Sequence, residues 1–169
     1  EDDYEFEMNF IEAPSPALKS MDESGHVIYV RSFSKSLFPG LRLGYLVASE
    51  QLIEEARSLR HLMLRHPPGQ TQRTAAYFMA LGHYDAQIKR LRRHFSNRRK
   101  ILQENLDQEN LLLETGAHFG GTSFWIHGPE WLDARTLAEK AAEQSILVEP
   151  GHHFFNAETP PQNYFRMAY

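Results

Sequence analysis

Two apolar segments separated by a short polar turn constrain the fold of this chain most. Residues 26–34, HVIYVRSFS, form an almost continuous run of β-branched and aromatic residues, and residues 41–49, LRLGYLVAS, have the same character. Such runs are typical of strands that are buried on both faces of a sheet. The turn between them contains serines, Pro39, Gly40 and a single lysine, Lys35. The pattern predicts two strands of one buried sheet, joined through a polar turn.

The middle of the chain has helical patterns. Ser49 has the character of an N-cap, and apolar residues recur at helical spacing from Ile53 to Met63 before the break at Pro67. A shorter helical stretch, QTQRTAAYFMALG, follows this break, and a long amphipathic stretch covers residues 86–110. We therefore predict helices from Ser49 onward, the last of them a long connecting helix.

The end of the chain mixes short apolar segments with one helical pattern. LLLETGAHFGGTSFWIHG predicts two short strands, WLDARTLAEKAAEQS a helix, and ILVEP and NYFRMAY two further strands. We predict an α/β fold in three parts. Residues 1–85 carry the end of a mainly parallel sheet, residues 86–110 form the connecting helix, and residues 111–169 form a small α+β domain.

Composition and charge exclude several kinds of site. The 169 residues include no cysteine, which excludes a disulfide framework and thiolate metal ligands. The formal net charge of −4 gives no reason to expect a nucleic-acid-binding surface. The basic run KRLRRHFSNRRK is spread around an amphipathic helix, and we interpret it as a solvated or inter-subunit face.

We predict no metal site and no membrane segment. His152 and His153 are adjacent, which is not a ligand spacing, and no acidic or thiol partner lies near them in the sequence. No run of about 18 apolar residues is present. The absence of cysteine fits a cytoplasmic protein, which is our expectation.

Both ends of the sequence have the character of element interiors. The chain opens on EDDYEFEMNF without an initiator methionine and closes on the aromatic stretch NYFRMAY. From these ends we expect a fragment of a longer protein.

Lys35 is the strongest candidate for a chemical role. A lysine near a strand end most often extends its amine to solvent. Here the hydroxyls of Ser32 and Ser34 and the guanidinium of Arg42 lie close by in the sequence, and such groups at a turn make an anion site. A lysine beside such a site and partly removed from water is an amine nucleophile toward an aldehyde. Pyridoxal phosphate carries both the aldehyde and the phosphate.

The first residues supply the other groups that this cofactor needs. Its ring acts as an electron sink when a carboxylate keeps the pyridine nitrogen protonated, and its ring hydroxyl needs a donor. Asp2 and Tyr4 offer these groups at the predicted C-terminal end of a strand, where ligands bind in open α/β sheets. Each of the two residues also has a purely structural interpretation, as a solvated acid or a core tyrosine.

Taken together, these motifs resemble fold-type I pyridoxal-phosphate enzymes of the aspartate aminotransferase superfamily. More narrowly, they resemble the aminotransferase-like domain of MocR-type GntR transcriptional regulators. The resemblance covers nearly the whole chain and is carried by EDDYEFEMNF, PALKSMDESGHVIYVRSFSKSLFPGLRLGYLVAS, FGGTSFWI, ILVEPGHHFF and YFRMAY. It implies a fragment of a fold-type I transferase that forms a homodimer.

The resemblance also implies a role for each candidate residue. Lys35 would form the internal aldimine with pyridoxal phosphate and act as the catalytic lysine. The other cofactor contacts would be Asp2 at the pyridine nitrogen, Tyr4 at the ring hydroxyl, and Ser32, Ser34 and Arg42 at the phosphate. Arg166, in YFRMAY, matches the arginine that binds a substrate carboxylate, which suits its planar fork of donors.

Two functions follow from the resemblance. In the first, the domain senses an amino compound for a transcription regulator, and DNA is bound only through a winged-helix domain upstream of this chain. In the second, the protein is a stand-alone aminotransferase. EDDY favours the regulator, because stand-alone enzymes usually have one more residue between the acid and the tyrosine. A third interpretation retains the fold without the cofactor.

Overall fold

The computed structural model describes residues 1–3, 5–11, 15–109, 111–113 and 121–169. The chain divides into two compact units. Unit 1 comprises Glu1–Asn9 and Ala13–Arg92, and unit 2 comprises Phe10–Glu12 and Arg93–Tyr169.

Unit 1 combines a two-stranded sheet with helices. Strand β1 (Tyr29–Ser32) pairs antiparallel with β2 (Gly44–Val47), so that Tyr29 lies opposite Val47 and Ser32 opposite Gly44. Asp2 forms an isolated parallel bridge with Val30 on the other side of β1. Three helices follow, namely α1 (Glu50–Leu64), α2 (Gly69–Ala80) and α3 (His83–Gln108), and α3 continues into unit 2.

The helix boundaries agree with the sequence patterns. Helix α1 starts directly after Ser49, as predicted, although the Ser49 side chain makes no capping hydrogen bond. The Pro67-Pro68 pair separates α1 from α2, because proline lacks the N–H that a continuing helix requires. A long helix is present as α3, over His83–Gln108 against the predicted range 86–110.

The prediction that both strands are buried on both faces is wrong for this chain. Val30 in β1 and all four residues of β2 are exposed, whereas Tyr29 is buried. A two-stranded antiparallel pair packed on one side leaves its other face open. An apolar run shows that a strand can pack against other elements on both faces, but it does not show that such elements are present. The apolar residues Leu59 and Met63 of α1 are exposed for the same reason.

Unit 2 is built on a four-stranded antiparallel sheet. Its strands are β3 (Leu112–Leu113), β4 (Ser123–His127), β5 (Glu149–Pro150) and β6 (Tyr164–Ala168), in the spatial order β3-β4-β6-β5. Helix α4 (Ala134–Glu143) is capped by Asp133, whose carboxylate accepts hydrogen bonds from the N–H groups of Arg135 and Thr136. Such a cap contributes about 1 kcal/mol to stability.

The core of unit 2 lies on one face of this sheet. It is formed by residues that are almost completely buried: Leu106, Phe124, Ile126, Ala134 and Phe165. Side chains alternate along a strand, so the other face of β4 carries Ser123, Trp125 and His127. We call this second face of the unit 2 sheet the outer face.

Two negative findings concern only the residues that the structure describes. None of their helices combines the length and apolar character that a bilayer span requires. In the same ranges, no group of three or more histidine or acidic side chains converges as a metal-binding cluster.

Candidate functional site

The two faces of β1 carry different groups. In a strand, residues two apart share a face, so Val30 and Ser32 lie on one face and Tyr29 and Arg31 on the other. Asp2 is the bridge partner of Val30 and therefore shares the face of Ser32. The Tyr29 hydroxyl donates a hydrogen bond of 2.9 Å to Asp3, which places Asp3 on the opposite face. Asp2 and Ser32, both predicted site residues, thus lie on one face.

A tight turn after β1 brings the two serines and the lysine together. The Ser32 hydroxyl donates to Ser34 Oγ at 3.0 Å, and the Ser34 N–H donates to Ser32 Oγ at 3.2 Å. The turn is closed by a bond of 2.8 Å from the Leu37 N–H to the Phe33 carbonyl. Lys35 lies at the centre of this turn.

The same turn is bonded to the segment that precedes β2. The Phe33 N–H donates to the Leu43 carbonyl at 2.9 Å. This bond holds the segment of Arg42 and Leu43 beside the turn. Arg42 lies outside β2, at the end of a 3₁₀ turn over Pro39–Leu41, and its φ of 49° is left-handed. Its side chain is exposed. The strand predicted over 41–49 is therefore shorter, and Arg42 is held by a turn.

The amine of Lys35 has a carboxylate neighbour. Lys35 Nζ lies 3.4 Å from Glu5 Oε1, and the Lys35 side chain is 35% exposed. The sequence predicted an amine partly removed from water, and the structure adds an acidic partner that the sequence argument did not include. Forming a covalent bond through this nitrogen requires its release from Glu5.

Two predicted site residues remain. Tyr4 lies outside the described residues, and Arg166 belongs to unit 2.

On the opposite face of β1, a buried network surrounds Glu7. The Glu7 side chain forms an ion pair with Arg31 and accepts a hydrogen bond from the Tyr84 hydroxyl, and its residue is only 5% exposed. Arg92 Nε donates to the Glu7 carbonyl at 2.8 Å. Burial of the Tyr84 phenol, together with its bond to Glu7, raises the pKa of Tyr84 to about 12.

Aromatic rings complete this network. The guanidinium of Arg31 lies over the ring of Phe6, 4.6 Å from its centroid, and Arg31 Nη1 donates to the Tyr45 hydroxyl at 3.3 Å. These groups line a cavity of about 620 Å³. Sequence reasoning missed the network, because Glu7 and Tyr84 are 77 positions apart and no local pattern joins them.

In unit 2, Arg166 lies in the middle of a cross-strand row on the outer face. In register, Trp125 of β4 lies on one side of Arg166 and Glu149 of β5 on the other. Arg166 Nη2 is 2.6 Å from Glu149 Oε2, and the guanidinium carbon is 5.9 Å from the centroid of the Phe154 ring. Arg166 was predicted as a carboxylate ligand; its partnership with Glu149 was not predicted.

Gly151 allows this row to form. A Cβ at this position would lie 2.6 Å from a Trp125 ring carbon and 2.6 Å from the Tyr164 carbonyl oxygen. Gly151 begins the 3₁₀ turn that leads to Phe154. The absence of a side chain here therefore lets the Phe154 turn pack directly against the sheet.

The donor groups around Lys35 fit a phosphate ester that carries an aldehyde. Two hydroxyls 3.0 Å apart and the backbone of a tight turn provide hydrogen-bond donors, and Arg42 provides a guanidinium in the adjacent segment. Lys35 provides a primary amine in the same turn. These kinds of group suit the phosphate and the aldehyde of pyridoxal phosphate.

The sequence and the fold match known proteins along nearly the whole chain. The family described as Aminotransferase class I and II matches residues 4–169. The HTH-type transcriptional regulator TauR of Rhodobacter capsulatus is 47% identical over the whole chain, which covers 35% of that protein. The probable rhizopine catabolism regulatory protein MocR of Rhizobium meliloti is 36% identical over 60% of the chain and 20% of its own length.

A solved structure gives the same result for the fold. The α-aminoadipate aminotransferase LysN of Thermus thermophilus superposes with a TM-score of 0.84 at 27% sequence identity. The match covers 99% of this chain and 43% of LysN. The predicted fold class, an α/β part of a fold-type I aminotransferase, is therefore confirmed. The chain spans about a third of the length of TauR.

Proposed function

The chain belongs to the class I and II aminotransferase family, and on this premise we propose that it is the pyridoxal-phosphate-binding effector domain of a DNA-binding transcription regulator. The premise rests on the family match over residues 4–169. The regulator assignment is supported by the likeness to TauR along the whole chain. Family members use pyridoxal phosphate, and LysN was solved with a phosphopyridoxyl derivative of leucine.

One observation carries the cofactor proposal. The turn after β1 brings Ser32, Ser34 and Lys35 together, and the Phe33–Leu43 hydrogen bond draws the Arg42 segment beside them. In the proposal, the hydroxyls and Arg42 hold the phosphate and the Lys35 amine holds the aldehyde carbon.

Two further residues would hold the pyridine ring. Asp2 shares a face of β1 with Ser32, and its carboxylate would accept a hydrogen bond from the protonated ring nitrogen. Tyr4 would donate to the ring hydroxyl, as the family resemblance implies. When bound, the cofactor supplies an electrophilic carbon for amines and a ring that accepts electron density.

The residues of this chain would control access to the lysine. Lys35 forms an ion pair with Glu5 in the structure, so its amine would have to leave Glu5 before it can bond to the aldehyde carbon. Arg166 would hold the acid group of an amino compound through its remaining guanidinium donors. The ligand class is therefore an amino acid or a related amino compound.

We further propose that a domain outside this chain binds DNA and that the present domain forms a homodimer, as the family resemblance implies. The regulator would then work in the cytoplasm.

The alternative is a stand-alone aminotransferase, and the superposition on LysN favours it. The two functions differ in their expected turnover. A free-standing enzyme converts amino acid and keto acid steadily, whereas a sensor binds the amino compound and changes its affinity for DNA.

A cofactor titration of the full-length protein tests the proposal. We expect a visible absorbance band on adding pyridoxal phosphate, and we expect Lys35→Ala to lose it. Lys100→Ala is the matched control, because Lys100 lies on an exposed face of α3 and pairs with Glu104 at 3.8 Å. A band that persists in Lys35→Ala, or that is absent from the wild type, would refute the site.

A further inference from the structure

We propose that Glu149 sets the ligand specificity of the Arg166 site, by rejecting compounds with a second carboxylate and admitting amino compounds with a single acid group. This inference rests on the proposed role of Arg166 in binding a ligand carboxylate. It goes further by naming the residue that selects among carboxylates and the class that it selects.

The geometry places both charges where a ligand can reach them. Arg166 and Glu149 are register partners on β6 and β5, and their side chains are 48% and 44% exposed. The bond between Nη2 and Oε2 is 2.6 Å long. A guanidinium has five N–H donors, so this one bond leaves donors on Arg166 for a ligand carboxylate.

The pair changes the electrostatics that a ligand meets. An unpaired arginine attracts anions in proportion to their charge, so it favours dicarboxylates over monocarboxylates. With Glu149 beside it, the pair is close to neutral, and a second carboxylate approaches a like charge. Like charges placed side by side across a binding surface are a strong means of rejecting the wrong ligand.

In the described part of the chain, the Arg166 guanidinium contacts the Glu149 carboxylate and the Phe154 ring. The Phe154 ring lies over the guanidinium, and the indole of Trp125 lies 5.4 Å from Phe154 in an edge-on arrangement. Arg99 lies over the ring of Phe124, which belongs to the opposite, core face of the sheet. On the outer face, the cross-strand row therefore consists of the Arg166 cation, the Glu149 anion and the aromatic ring of Trp125, with Phe154 packed beside it.

The main competing explanation is that Glu149 only strengthens the sheet. Cross-strand pairs of opposite charge make a small contribution to sheet stability. A purely structural pair would affect unfolding and leave the preference between ligands unchanged. Ligand discrimination is therefore the readout that separates the two explanations.

The test compares two ligands of nearly the same shape. Calorimetric titrations of the full-length protein, loaded with pyridoxal phosphate, would use L-glutamine and L-glutamate. These probes differ by one carboxylate at the side-chain end. The variants are E149Q, which keeps the shape, and E149A, which removes the whole group. Because Glu149 is half exposed, neither change is expected to prevent folding. E143Q, at an exposed position of α4, is the matched control.

We expect the wild type and E143Q to bind glutamine at least about tenfold more tightly than glutamate. In E149Q and E149A the ratio should fall to about threefold or less, through a gain in glutamate affinity. An unchanged ratio in both variants, or no binding of either probe to any of the proteins, would overturn the inference. The Lys35-dependent absorbance of the wild type is recorded in the same samples. Its loss would refute the proposed function, whereas an intact band with unchanged discrimination would refute only the role of Glu149.

Discussion

Glu7 and Arg31 form an ion pair on the face of β1 opposite Ser32. Glu7 is almost completely buried, and Tyr84 donates a second hydrogen bond to the same carboxylate. A buried charge is stable only when it is paired and hydrogen-bonded. The network therefore ties the segment around Glu7 and the start of α3 to the strand that leads into the Lys35 turn.

Removing the charge of Glu7 is expected to destabilise unit 1 strongly. Glu7→Gln leaves Arg31 without its anion, and breaking a buried ion pair from one side costs about 3–5 kcal/mol. The measurement is urea unfolding followed by far-UV circular dichroism. Glu5→Gln is the control, and because Glu5 and Lys35 are both partly exposed we expect a change below about 1 kcal/mol. Similar losses in the two variants would contradict a buried Glu7 network.

Alkaline conditions are expected to lower stability through the same network. Burial and the bond to Glu7 raise the pKa of Tyr84 to about 12, whereas an unfolded tyrosine ionises near pH ~10. Between these values the unfolded chain releases a proton that the folded chain keeps, so the free energy of unfolding falls as pH rises. Below pH ~10 this contribution is fully present.

Urea midpoints measured across this alkaline range check the assignment. Tyr84→Phe should lose stability less steeply with pH than the wild type. Part of the slope should remain, because burial and a bond to Asp3 also raise the pKa of Tyr29. Tyr77→Phe is the control at an exposed position and should keep the wild-type slope. Equal slopes in all three proteins would exclude Tyr84 as a cause of the loss of stability at alkaline pH.

Arg42 is expected to contribute to cofactor affinity more than to folding. Arg42→Ala should weaken the binding of pyridoxal phosphate about 10- to 100-fold, because a hydrogen bond to a charged group contributes about 1.5–3 kcal/mol. The measurement is a spectroscopic titration of the full-length protein, with urea unfolding in parallel. Arg65→Ala is the control, because Arg65 is another exposed arginine with a positive φ, 54° against 49° for Arg42, although its ψ is −66° against 43°. Parallel losses of affinity and stability in Arg42→Ala would identify a structural arginine.

Gly151 is expected to tolerate no side chain. In Gly151→Ala the new methyl group would lie 2.6 Å from the Tyr164 carbonyl oxygen, which is part of the backbone and cannot move aside cheaply. Overpacking of this kind costs about 1–3 kcal/mol, and urea unfolding would measure it. Gly69→Ala is the contrasting variant, because a Cβ at Gly69 meets nothing within 4 Å. We expect it to be neutral or slightly stabilising at the start of α2. A neutral Gly151→Ala would show that the Phe154 turn packs less closely.

Sequence patterns predicted the parts of the fold that depend on local chemistry. The start of α1 after Ser49, the long helix α3 and the strand β6 all follow from periodicity and from Pro and Gly positions. The grouping of Ser32, Ser34 and Lys35 was predicted for the same reason, since a single turn contains all three. The family resemblance was confirmed by the match to the aminotransferase class, while the individual site roles remain predictions.

The features that sequence patterns missed depend on contacts between distant segments. The pairing of Arg166 with Glu149 requires β5 to lie beside β6, and nothing in ILVEP alone shows which strand it will join. The hydrogen bond between Tyr84 and Glu7 joins residues that are 77 positions apart in the sequence. The open face of β1 and β2 was missed because apolar composition indicates what a strand can bury, and not which neighbours are present.

Because the backbone at Arg42 is left-handed, the residue type at this position would indicate whether a related domain still binds the cofactor phosphate. Arginine is a costly residue in that conformation, and glycine adopts it freely. On the proposed role of Arg42 in holding the phosphate, a lineage that lost the cofactor would lose the benefit of the guanidinium and keep the backbone cost. Its residue here would then drift toward glycine or asparagine. The residue at this one site in each descendant would then distinguish the domains that still carry a cofactor from those that kept only the scaffold.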